Sequence, residues 1–187
     1  FFESKNLIIK KLIYILFNNI SIVIVEAQQV REYFLSKRFT SEFFVINNSA
    51  PTVQEIPAKK ESLERSEQLK ILYLSNLIQS KGYFDLLQSL PIIKEKLNRS
   101  ISCTFIGNFI EVNDEDSDSV ISKDEFFDYI EENRLEDNVC YFESVVGIKK
   151  EKILAETDIF VLPTKYIFEM IPISIIEAMS YGIPIVT

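Results

Sequence analysis

Short, unbroken apolar runs alternate along this chain with longer stretches of helical periodicity. Leu7, Ile8, Leu12, Ile13, Ile15 and Leu16 repeat at helical spacing with a broad apolar face, which Asn18-Asn19 ends. Ser21-Ile22-Val23-Ile24-Val25 is a short continuous run, the pattern of a strand buried on both faces. A helix is predicted over 27–38 and a strand over 43–46, closed by a turn at Asn47-Asn48-Ser49-Ala50-Pro51. Residues 51–67 hold two prolines and many charges without periodicity, as a linker would.

From residue 68 the alternation becomes regular. Strands are predicted at 69–74, 101–106, 139–142, 159–162 and 183–186. Helices are predicted at 82–97, 123–133, 149–156 and 173–180. Such alternation specifies an α/β fold: a Rossmann-like parallel sheet with helices on both faces. The predicted division is a partial α/β domain at 1–50, a linker at 51–67 and a nucleotide-binding-type domain at 68–187. In open sheets of this kind, ligands bind outside the carboxyl ends of the strands near a topological switch point. That directs attention to the loops 75–82, 107–111, 143–148 and 163–172.

The composition narrows the function classes. A hydrophobic fraction of 47%, with 15 Phe and 8 Tyr among 187 residues, is enough for a packed, aromatic core and excludes global disorder. The net charge of −8 is uneven. Residues 1–50 carry six Lys/Arg against four Glu, leaving fourteen basic against twenty-four acidic residues in 51–187. The acidic bulk argues against nucleic-acid binding, while the basic N-terminal part is compatible either with a peripheral contact to an anionic membrane surface or with a chance imbalance of two charges. Lys10, Lys11, Asn18 and Asn19 interrupt the apolar stretch 7–25, which therefore makes a poor membrane span. No order of charge, apolar core and cleavage site marks a signal peptide. Cys103 and Cys140, each in a strand-like run, read as reduced, buried thiols of an intracellular protein. The sequence holds no histidine, so the commonest general base and metal ligand is missing from it. The chain begins on Phe1 and ends on Thr187 in an apolar run, which reads as a fragment of a longer protein.

Three constellations carry candidate chemistry. In the first, Ser75-Asn76-Leu77-Ile78-Gln79-Ser80-Lys81-Gly82 delivers a lysine beside a helix start, and the two together suit a diphosphate. A solvated surface lysine is the bland alternative. In the second, Glu169 and Glu177 are separated by seven residues around Pro172, which fits a first helical turn. Ala178 and Gly182 beside Glu177 are small enough for close backbone approach. Two carboxylates so placed accept hydrogen bonds from vicinal diols. The alternatives are helix N-terminal pairing for Glu169 and a buried ion pair with a lysine for Glu177. In the third, Asp114, Asp116, Asp118, Ser122 and Glu125 match calcium-loop spacing, but Ser119 stands where the sharp turn needs glycine, so a solvated acidic loop is preferred. No metal site, zinc spacing, nucleophile triad or Gly-rich phosphate loop is read.

Taken in series, residues 69–187 resemble the donor domain of glycosyltransferase family 4, retaining enzymes of GT-B fold, also called glycosyl transferases group 1. The resemblance rests on Ile71 through Gly82, on Phe105-Ile106-Gly107, and on Gly147-Ile148-Lys149-Lys150. It continues through Asp158-Ile159-Phe160-Val161-Leu162-Pro163-Thr164 to Glu169 through Thr187. Residues 1–50 are similar, more loosely, to the end of the family's acceptor-side domain. The resemblance implies transfer of a sugar from a nucleotide-diphosphate donor to an acceptor hydroxyl on a glycan or lipid-linked saccharide. The setting it implies is cell-surface polysaccharide or glycoconjugate synthesis, in the cytoplasm or at the inner face of the membrane, without metal or other cofactor. It also implies roles. Lys81 contacts the diphosphate, Glu169 holds the transferred sugar and Glu177 holds the ribose. Asn76, Gly107 and the main-chain amides of Ile171 and Ile173 line the donor, and residues 143–147 lie near the base.

Departures from the family pattern leave donor identity open. Ser75-Asn76 stands where Gly-Arg is common, Met170-Ile171-Pro172 replaces Gly-Phe-Gly, and Glu143 replaces a glycine. They also keep two alternatives in view, a non-catalytic nucleotide-binding or interaction module and a nucleotide-sugar epimerase of the same fold. A fragment that lacks part of the interdomain cleft is expected to be inactive alone.

Overall fold

The structure, a computed structural model, describes residues 7–49, 68–97, 99–110, 121–165 and 172–187. The chain divides into two compact units, Phe1–Ser49 and Ala50–Thr187. The predicted linker at 51–67 lies outside the described residues, as do Asp114, Asp116, Asp118, Glu169 and Ile171.

In the first unit, helix α1 (Leu7–Asn18) leads to strand β1 (Ile22–Val25), helix α2 (Gln28–Ser36) and strand β2 (Glu42–Val45). The strands pair in parallel, from Ile22 opposite Glu42 to Val25 opposite Val45. Val25, Phe39 and Phe43 form the small core, with Phe17, Val23, Val30, Phe34 and Val45 against it. Phe34 stacks on Phe43 with ring centroids 5.2 Å apart. Asn18, expected only to end the helix, also accepts hydrogen bonds from the main-chain N–H and the hydroxyl of Thr40, each 2.8 Å. The expectation that β1 is buried on both faces fails: Ile22 and Ile24 are 56% and 63% exposed. Among the described residues β1 pairs with β2 alone, and no layer covers the face that Ile22 and Ile24 share.

The second unit is a five-stranded parallel sheet flanked by helices. Its elements run β3 (Gln68–Leu74), α3 (Tyr83–Lys96), β4 (Ser100–Ile106), α4 (Lys123–Glu132), β5 (Val139–Phe142), α5 (Gly147–Glu156), β6 (Ile159–Val161), α6 (Ile173–Ser180) and β7 (Ile185–Val186). The sheet order is β5-β4-β3-β6-β7. The central strand is β3, paired over its whole length with β4 and, through Ile71 and Leu72, with β6. Its consecutive residues Ile71, Leu72 and Tyr73 are all buried, which is what helices on both faces require.

The core is aromatic, as the composition predicts. Phe126 of α4 is fully buried between Phe105 and Phe109, with ring centroids 5.3 and 5.4 Å away. Tyr83 joins the cluster and donates its hydroxyl to the Ile121 carbonyl at 3.2 Å. Burial, with help from the Glu125 charge, pushes the Tyr83 hydroxyl up to about 12. One thiol differs from expectation. Cys103 is buried, and desolvation drives its pKa upward, but Cys140 is exposed. Cys140 lies on β5, the edge strand, where side-chain alternation turns it toward a side left open by the described residues.

Helix α4 begins with a capping box, which accounts for Ser122 and Glu125 of the calcium-spaced run. The Ser122 hydroxyl accepts from the Glu125 N–H at 3.2 Å, and the Ser122 N–H donates to the Glu125 carboxylate at 2.7 Å. Those two bonds hold the Glu125 carboxyl below its ordinary range. Glu125 is thus engaged in closing a helix end. Among the described residues no helix is long and apolar enough to cross a membrane.

Candidate functional site

The strand order creates a switch point at β3. From β3 the chain moves to β4 and β5 on one side, then crosses back to β6 and β7 on the other. The loops after β3 and β6 therefore flank one crevice at the carboxyl edge. They are in direct contact. The Lys165 N–H donates to the Ser80 carbonyl at 2.7 Å. Gly82, with φ of +73°, lies so close to Pro163 that a Cβ there would fall 2.3 Å from the proline carbonyl oxygen. Glycine is required at 82 for both reasons, conformation and space.

Lys81 ends a single 3-10 turn, Gln79–Lys81, and α3 starts immediately afterwards with Gly82 as its N-cap. No side chain among the described residues caps that helix end, so its first N–H groups keep their partial positive charge. The Lys81 ammonium donates to the Ser75 hydroxyl at 3.2 Å. Asp85, in the first turn of α3, is paired with Lys165 at 3.4 Å, which offsets its charge. The loop is better fixed than its sequence suggests. Leu77 is buried and pairs with Phe109 as an isolated parallel bridge, through Leu77 N–H to the Asn108 carbonyl at 2.8 Å. Asn76 projects outward, and its carbonyl receives the Tyr73 hydroxyl at 3.1 Å.

Gly107 stands at the end of β4 with φ of +153°. A Cβ there would fall 1.9 Å from the Ser75 carbonyl oxygen. Its own N–H donates to Phe142 at 3.0 Å, and its carbonyl accepts the Tyr141 hydroxyl at 3.1 Å. Gly107 thus ties the ends of β3, β4 and β5 together.

Beyond β6, Pro172 is the N-cap of α6, one position before the first turn where it was expected. Ile173 follows, exposed, at the start of the helix. Glu177 is 9% exposed, and its Oε1 receives the Lys150 ammonium at 2.5 Å. The ion-pair alternative raised for Glu177 is therefore realised, with a partner from α5. The pKa of Tyr181 is raised first by its own desolvation and then by the Glu151 and Glu177 carboxylates. The close-approach reading of Gly182 fails. Its φ is +65° and nothing among the described residues lies within 4 Å of a Cβ built there, so it serves as the left-handed residue that ends the helix. Ala178, by contrast, is fully buried.

Sequence reasoning missed a cationic and aromatic face after β5. Lys123 Nζ lies 3.0 Å from Glu143 and 5.5 Å over the Tyr141 ring. The hydrogen bond to Glu143 is the main reason its pKa is raised. Lys149 Nζ lies 4.0 Å over the Phe142 ring. The available signal was a lysine at or near the first residue of each helix flanking β5.

The comparisons with known proteins agree with this architecture. S. aureus TarM, solved with UDP, fondaparinux and α-GlcNAc-glycerol, is similar with a TM-score of 0.68 at 22% identity, over 94% of this chain and 31% of TarM. Sucrose-phosphate synthase from Thermosynechococcus elongatus is similar with a TM-score of 0.64 at 17% identity, over 98% of this chain and 46% of that one. The pneumococcal O-GlcNAc transferase GtfA, solved with UDP and GlcNAc, gives a TM-score of 0.65 at 13% identity, over 88% of this chain and 29% of GtfA. The chain thus spans less than half the length of each. At these identities the likeness establishes a GT-B fold. No curated protein matches the chain in sequence. The family model for glycosyl transferases group 1 matches residues 55–187, well over half of the sequence, and the chain belongs to that family.

Proposed function

We propose that this chain is the donor-binding part of a retaining glycosyltransferase that takes a sugar from a nucleotide-diphosphate donor. The observation that carries the reading is the packed pair of loops at the switch point. One presents Lys81 and the uncapped start of α3, and the other leads into the helix that carries the buried carboxylate of Glu177. In the proposed reaction the bond from the anomeric carbon to the diphosphate oxygen breaks, and a bond to the acceptor oxygen forms on the same face of the sugar. The acceptor hydroxyl passes its proton to the departing diphosphate oxygen. Negative charge grows on the leaving diphosphate, where Lys81 and the α3 N–H groups stabilise it by preorganised electrostatics. Glu177 takes the ribose diol. Glu169 orients the transferred sugar, with main-chain amides at Ile171 and Ile173, and Asn76 and Gly107 line the site. No metal or other cofactor is assigned a step.

The acceptor is proposed to be a glycan or lipid-linked saccharide of cell-surface polysaccharide synthesis. A cytoplasmic place at the inner membrane face would suit the exposed apolar side chains of α1 beside Lys10 and Lys11. Calorimetry with UDP-, ADP- and GDP-sugars tests the donor site. At least about tenfold weaker binding is expected for Lys81→Ala and for Glu177→Gln, the loss of one hydrogen bond to a charged group. Unchanged affinity in both variants refutes the assignment.

A further inference from the structure

The side chain of Glu177 is only 12% exposed and that of Lys150 27%, and the two meet at 2.5 Å across α5 and α6. A buried carboxylate in that position needs a partner to stay charged. Three lysines crowd the same helix, at 149, 150 and 152. Lys149 turns to the Phe142 ring and Lys152 to Glu156, 4.0 Å away. Lys150 alone among them is directed at Glu177. Its ammonium occupies Oε1, while Oε2 has no partner among the described residues. The glutamate is also fixed from its own helix, since the Ser180 hydroxyl donates to the Glu177 carbonyl at 2.6 Å.

Resting on the donor-site reading above, we propose that Lys150 is a positioning residue that presents Oε2 of Glu177 to the 2′,3′-diol of the donor nucleotide. Holding one oxygen fixes a side chain that otherwise has three free torsions, so less rotamer entropy is lost when the nucleotide binds. An ionised carboxylate is acceptor-only. A site of that kind takes hydroxyl donors and repels a phosphate or carboxylate at the same place. The ligand class is therefore a nucleoside diphosphate with both ribose hydroxyls free. Lys150 acts through Glu177 and touches no ligand atom in this scheme.

The test uses the full chain with UDP, ADP and GDP, each compared with its 2′,3′-dideoxy counterpart by calorimetry. The unaltered chain is expected to favour at least one ribo form by about tenfold or more. Glu177→Gln should cut that preference to under about threefold. Lys150→Met should do the same while leaving affinity for the dideoxy form unchanged, and Lys150→Arg should restore the preference. Lys150→Gln, which loses the charge but keeps a donor, carries the same expectation if Lys150→Met does not fold. Preference lost in Glu177→Gln but kept in Lys150→Met and Lys150→Gln overturns this inference and leaves the donor site standing. Equal weakening of ribo and dideoxy forms in the Lys150 variants also overturns it, because the lysine would then contact the ligand itself. Preference kept in Glu177→Gln, or no nucleotide binding at all, overturns both.

Discussion

Replacing Gly107 by alanine should strongly destabilise what the second unit builds at its carboxyl edge. The added methyl would fall 1.9 Å from the Ser75 carbonyl oxygen, 2.6 Å from its carbon and 3.1 Å from Asn76 Cα, all backbone atoms. Those atoms cannot give way cheaply. Ser75 N–H is bonded to Ile106 at 3.0 Å, Leu77 N–H to Asn108 at 2.8 Å and Gly107 N–H to Phe142 at 3.0 Å. Relief of the clash therefore sacrifices at least one of these, at about 0.5–1.5 kcal/mol. Overpacking costs about 1–3 kcal/mol, and a side chain at φ of +153° adds about 1–3 kcal/mol of backbone strain. The smaller entropy of the unfolded alanine chain returns about 0.4–1 kcal/mol. A net loss of roughly 1.5–7 kcal/mol results, with a midpoint of about 4, a large share of the ~5–15 kcal/mol typical of a domain. Gly182→Ala is the control. It makes the same chemical change at φ of +65° with nothing among the described residues within 4 Å of the new methyl. Only the left-handed conformation is then penalised, by about 1–2 kcal/mol before the same entropic return. Urea unfolding followed by circular dichroism measures both. The reasoning is refuted if the two variants lose the same stability within about 1 kcal/mol, because close approach to Ser75 would then carry no weight.

Other outcomes follow from single contacts. Ser122→Ala should lower stability by about 1 kcal/mol in the same urea experiment, as loss of an N-cap does. The Glu125 carboxyl is held low by the Ser122 bonds, so its contribution is present above the ordinary glutamate range and fades as pH falls through the depressed value. The melting-temperature gap between the unaltered chain and Glu125→Gln should therefore close as the pH falls below the ordinary glutamate range, and a gap that widens on acidification contradicts the cap. Iodoacetamide should label Cys140 in the native chain and spare Cys103 until urea unfolds it, read by peptide mass spectrometry. Prompt native labelling of Cys103 would contradict its burial.

The elements were legible because burial on both faces writes an unmistakable run. The predicted strand at 69–74 is the buried core of β3, and the predicted 101–106 is β4 less its first residue. The order of the strands was not legible, since pairing of β3 with both β4 and β6 depends on contacts far apart in sequence. For the same reason an apolar run could not tell Val25, which is buried, from Ile24, which lacks a covering layer. Nor does sequence distinguish a glycine that makes room, such as Gly82 against Pro163, from one that only ends a helix, such as Gly182. At the site, residue types pointed to Lys81 and Glu177. Which of three neighbouring lysines meets Glu177 depends on the rotation of α5 against α6, and periodicity does not encode that angle.

The substitution of Ser75-Asn76 for the family's common Gly-Arg looks at first like a simple loss of one cation from a diphosphate site. The geometry assigns Ser75 more than that. Its N–H closes on Ile106, its carbonyl rests where Gly107 leaves room, and its hydroxyl accepts from the Lys81 ammonium. A glycine at 75 could make the first two contacts but not the third. The serine thus substitutes a held lysine for a second positive charge. An ammonium held in place gives up less side-chain entropy on meeting an anion than one free to roam, and lysine has a great deal to lose. Asn76, exposed beside it, can add hydrogen bonds but no charge. If the proposed donor binds here, its diphosphate is gripped by one anchored cation and the start of α3. Its affinity should then fall less steeply with added salt than two mobile surface cations would make it.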